Sequence, residues 1–124
     1  MSARETTVVP PSVDVVLVMG GSAELARAVS LAATSVDSSI GVHRCDFLSA
    51  VAEAAEIRPM AIAMSAAAYA FDPTRLSMLA RDVGARLLLV ESEELGLEET
   101  ASAIRPQLEA IFAERHQGSY RPLR

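Results

Sequence analysis

Few side chains in this 124-residue sequence are equipped for chemistry, and most of them fall where an apolar run gives way to a helical pattern. Gly20-Gly21-Ser22 follows the first such run and opens a helix. Backbone N–H groups and the helix dipole at a turn of this kind bind anions. A tight turn with a Ser cap explains the same three residues, and Ala23 to Ala26 lack the further glycines of a dinucleotide fingerprint. Ser65 stands at the end of another apolar run, at the carboxyl end of a parallel strand, where open α/β sheets place their ligands. Its hydroxyl can serve as a switch or modification site, or simply hydrogen-bond the loop backbone. Gly20, Gly21, Ser22 and Ser65 are therefore the candidate ligand-binding residues. His43 and Cys45 alternate onto one face of a short strand, but two ligands do not complete a metal site, and no Ser-His-Asp spacing is interpretable. A helix C-terminus accounts for His116. No catalytic residue, metal site or cofactor is expected.

The elements that would position these residues follow from periodicity. Val13–Met19 is β-branched and reads as a buried parallel strand. Leu25, Ala28, Val29 and Ala32 recur at helical spacing over 23–35. Ile40–Arg44 is a short second strand. Asp46 caps the next helix, with Phe47, Leu48, Val51, Ala54 and Ala55 on its inner face and Arg58-Pro59 at its end. Met60–Met64 is a fully apolar third strand, and 65–71 a loop. Asp72-Pro73 starts a helix that Gly84 ends. Arg86–Val90 is the fourth strand. The last helix spans Leu97 to His116, with a kink or break expected at Pro106.

This alternation predicts an α/β fold, an open parallel sheet of about four strands in the order 2-1-3-4 with helices on both faces. A single domain is expected over 12–116, between a flexible segment at 1–11 and a flexible tail at 117–124.

Composition removes whole classes of function. All eleven basic residues are Arg, so Schiff-base and Walker-type lysine chemistry is excluded. The net charge of −5 without any basic run argues against a nucleic-acid partner. No apolar run approaches the roughly 18 residues that span a bilayer, so no membrane partner is expected. One cysteine fits a reducing compartment, and a cytoplasmic location is expected.

Several segments resemble the receiver domain of bacterial response regulators. Asp14–Met19 with Gly20–Leu25 resembles its first strand and acidic turn. Met64-Ser65-Ala66 resembles the strand end that carries its switch hydroxyl. Val83–Val90 resembles its Gly-Ala turn and last strand, and Leu97–Ile111 its final helix. The resemblance implies a flavodoxin/receiver-like fold with a Mg²⁺ pocket, an acceptor Asp and a clamping Lys. Gly20 and Gly21 stand where the metal-binding carboxylates belong, and Glu91 stands where the Lys belongs. If Met60–Met64 matches the acceptor strand, Ser65 replaces the Asp. If it matches the following strand, which puts Gly84-Ala85 in register, the acceptor strand is missing. Either way the acceptor carboxylate is absent, which implies a degenerate, pseudo-receiver module.

The expected function is accordingly a non-catalytic signalling or scaffolding module that acts through protein–protein contacts, self-associates as a homodimer and is not phosphorylated on Asp. The alternative is a small flavodoxin-like enzyme or a binder of an anionic or nucleotide ligand at Gly20–Ser22. The apolar segment Ala66–Phe71, with Tyr69 and Phe71 as anchors, and the stripe Leu97, Ile104, Leu108, Ile111 and Phe112 are the candidate contact surfaces. The acidic run Glu91, Glu93, Glu94, Glu98 and Glu99 is a solvated face or a dock for an Arg-rich partner.

Overall fold

The computed structural model describes residues 14–20, 23–91 and 96–119. Readings that fall on 1–13, 21–22, 92–95 and 120–124, including Gly21, Ser22, Glu93 and Glu94, lie outside the described residues. The chain alternates β1 (Val15–Met19), α1 (Ala23–Val36), β2 (Gly41–Cys45), α2 (Ala50–Ile57), β3 (Ala61–Ser65), α3 (Ala66–Phe71), α4 (Pro73–Val83), β4 (Arg86–Val90) and α5 (Leu97–Ser119). All four strands are parallel, in the order β2-β1-β3-β4. This is the α/β architecture and strand order that the alternation predicts.

The centre of the sheet is apolar on both faces because helices cover both. Val16, Val18, Ala61, Ala63 and Leu88 point to one side, where α1 and α5 close a core with Val29, Ile104 and Leu108. Leu17, Met19, Ile62 and Met64 point to the other, onto Ala50 and Ala54 of α2 and Leu76 and Ala80 of α4. Successive strand residues alternate between faces, so a run such as Val16–Met19 feeds two cores at once. The edge strand β2 is different: Gly41, His43 and Arg44 are exposed.

Three local expectations change. Residues 65–71 are not a loop, because Ser65 Oγ accepts the Ala68 N–H at 3.0 Å and starts the short helix α3. The inner face of α2 is Ala50 and Ala54, whereas Phe47, Leu48 and Val51 are exposed. Its start slips to Ala50 because Asp46 Oδ1 bonds the Ser49 N–H and hydroxyl, building a turn before the helix. Helix α5 runs unbroken through Pro106 and on to Ser119. Pro106 and Ser102 face solvent, so water can satisfy the Ser102 carbonyl that the missing N–H leaves free.

Asp14, just before β1, is 4% exposed. His116 Nε2 lies 2.8 Å from its Oδ2, and Arg115 Nε lies 2.5 Å from its Oδ1 without hydrogen-bond alignment. The end of α5 is thus pinned to the start of the sheet across about a hundred residues of chain. His116 also stacks on Phe112, with ring centroids 4.2 Å apart. The helix dipole alone did not reveal this partner.

Candidate functional site at the carboxyl end of the sheet

The turn after β1 is shaped for packing. Gly20 has φ +67°, a conformation that favours glycine, and a Cβ built there would lie 2.0 Å from the Phe47 ring. Its N–H donates to the Cys45 carbonyl at 2.8 Å. Gly20 therefore has no N–H left for an anion, and an aromatic ring covers the approach to it. Ser65 is likewise engaged as the α3 cap.

The residues expected to form contact surfaces separate. Tyr69 is half-buried, with its hydroxyl 2.8 Å from Ser77 Oγ. Phe71 is 90% exposed and Leu97 42% exposed. Ile104 and Leu108 are buried in the core under the sheet, with Ile111 and Phe112 packed against it. The α5 stripe is therefore consumed by α1 and the sheet rather than offered to a partner.

Two features occupy this end of the sheet on the α2–α4 side. The first is a bay of about 590 Å³. Met19, Ala50, Ala68 and Leu76 line its depth, and Phe47, Phe71, Asp72 and Arg75 its more exposed wall. The second is an ion pair on the edge strand: His43 Nε2 lies 2.5 Å from Glu53 Oε1 of α2. A carboxylate can only accept, so Nε2 carries the hydrogen and the neutral ring keeps Nδ1 as its basic nitrogen. Cys45 follows two residues along on the same face, half-buried. Burial, reinforced by the charges of Glu53 and Asp46, pushes its thiol above its ordinary value. Of the two nucleophilic side chains on this face, the thiol is held towards its protonated form, which leaves the imidazole Nδ1 as the available lone pair. The sequence showed His43 and Cys45 together but not Glu53, which reaches the ring from the next element. Spacing from a strand into the following helix was the available signal.

The described residues contain no cluster of three or more His, Cys, Asp or Glu side chains that could hold a metal ion. No described helix is long and apolar enough to cross a membrane.

No family model matches the chain, and no curated protein matches it. Among solved structures, it is similar to the lactose-specific IIB component domain of the phosphoenolpyruvate:carbohydrate phosphotransferase system from Streptococcus pneumoniae. The TM-score is 0.53 at 14% identity, over 85% of this chain and 98% of that one. At this identity the likeness establishes a shared α/β fold. The neighbour belongs to a phosphotransferase system, and this overturns the expectation of a non-catalytic signalling or scaffolding module. The likeness to receivers holds only at the level of the fold, since no family match supports a pseudo-receiver.

Proposed function

We propose that the chain is a phosphoryl-carrier component of a phosphotransferase-type relay, taking a phosphoryl group from one protein and passing it to another, with His43 as the acceptor. The observation that carries this reading is the His43–Glu53 pair: an exposed imidazole held through Nε2 by a carboxylate, with Nδ1 unpartnered among the described residues. The shared fold with a component of such a system supports it.

In this reading the Nδ1 lone pair attacks the phosphorus of a phosphorylated donor protein. The N–P bond forms as the donor's bond to phosphorus breaks, and the donor leaves with the electron pair. Glu53 holds the Nε2 hydrogen and stabilises the positive charge that builds on the ring. It is a positioning residue. The raised Cys45 thiol stays protonated beside it and does not compete for the group. Transfer onward reverses the step.

The test is labelling with ³²P-phosphoenolpyruvate in a clarified extract of the source organism. The expected label is acid-labile and alkali-stable, as a phosphoramidate is, and is lost in His43→Gln but kept in Cys45→Ser. Absence of label, or label that survives in His43→Gln, overturns the reading.

A further inference from the structure

Phosphoryl transfer at His43 leaves the bay between α2 and α4 without a use. Its volume of about 590 Å³ falls among sites that take small organic ligands. Its lining is apolar apart from Asp72 and Arg75. Asp72 is committed, because Oδ1 accepts the Arg75 N–H at the start of α4. The Arg75 guanidinium is exposed and forms no ion pair among the described residues.

The Phe47 ring in the wall of the bay lies against Gly20, where any side chain would displace it. Phe71 and Val51, 90% and 62% exposed, stand at its mouth as uncovered apolar surface. A sugar would find too few polar partners here for its hydroxyls. We propose that the bay binds a small amphipathic acid. Its apolar body, roughly ten to twenty heavy atoms, fills the space between Met19 and Leu76, and its single anionic group pairs with Arg75. Such an acid can arrive free or as part of an anionic lipid surface.

The full-length protein is titrated with 1-anilinonaphthalene-8-sulfonate, an aromatic body with one sulfonate, and thermal unfolding is followed to show that the fold stays cooperative. Saturable binding of one dye is expected. 4-Phenylbutyrate should displace it roughly three- to tenfold more effectively than 4-phenylbutan-1-ol, the same body without the charge. Arg75→Gln should erase that preference, and Ala68→Met, which fills the bay, should abolish dye binding. Cosedimentation with phosphatidylglycerol vesicles, lost in Arg75→Gln, assigns the acid to lipid; its absence assigns a free acid. Equal displacement by acid and alcohol, or dye binding unchanged by Ala68→Met, overturns the proposal. Labelling of His43 in Arg75→Gln stays at the wild-type level, so the two proposals fail separately.

Discussion

At the scale of single residues, the site depends on what Glu53 does to its two neighbours. It fixes the hydrogen of His43 on Nε2, and its charge adds to burial in keeping the Cys45 thiol protonated. Glu53→Gln should therefore speed alkylation of Cys45 by iodoacetamide at neutral pH, with burial still holding the rate below that of a free thiol. An unchanged rate would mean that the carboxylate does not reach the thiol electrostatically. Gly20 carries a different load. An alanine there meets both the left-handed backbone and the Phe47 ring, so Gly20→Ala should cost about 2 kcal/mol or more in urea unfolding. Adding Phe47→Ala should remove the clash and leave only the backbone strain. The sequence marked Gly20 as special and offered an anion site or a tight turn as the reason. The structure adds an aromatic ring 27 positions along the chain, which spacing does not reveal.

At the scale of elements, most boundaries were legible because strong local chemistry sets them. Asp72-Pro73 starts α4 with Asp72 as its cap, and Gly84 ends it at φ 77°. Where the start of an element depends on a side-chain turn, reading was harder. Asp46 bonds Ser49 and so delays α2 until Ala50, which leaves Phe47 ahead of the helix, in the wall of the bay. These bonds hold the Asp46 carboxyl below its ordinary 3.8. A lowered folded value means stability that is present above that pH and lost as pH falls through the folded value. Asp46→Asn should therefore show a shallower acid-side loss of thermal stability than wild type. Helix α2 ends at Arg58, a non-glycine residue at φ 55° with its N–H on the Ala54 carbonyl. Arg58→Gly keeps that bond and relieves the conformation, and should raise stability by up to about 1 kcal/mol in the same urea assay. A lower midpoint would show that the arginine side chain contributes more than the backbone strain removes.

At the scale of the whole molecule, the alternation of apolar runs and helical stripes was enough to place four parallel strands in the right order. The two inner strands are buried on both faces, and such strands read as continuous apolar runs. Function was less legible, because the decisive contacts join distant parts of the chain. The α5 stripe looked like a free surface until α1 and the sheet were seen to cover it, and the helix C-terminus accounted for His116 without its partner Asp14. The expectation of an inert module rested on carboxylates and a lysine that are missing at one pocket. The neighbouring fold belongs to a phosphotransferase system, and the nucleophile proposed here lies one strand away, on the sheet edge. The most direct measurement is a long-range ¹H–¹⁵N spectrum of the imidazole rings, recorded before and after phosphorylation with phosphoenolpyruvate and extract. The account predicts a His43 ring protonated on Nε2 beforehand and phosphorylated on Nδ1 afterwards. A His43 ring that stays unmodified would contradict it.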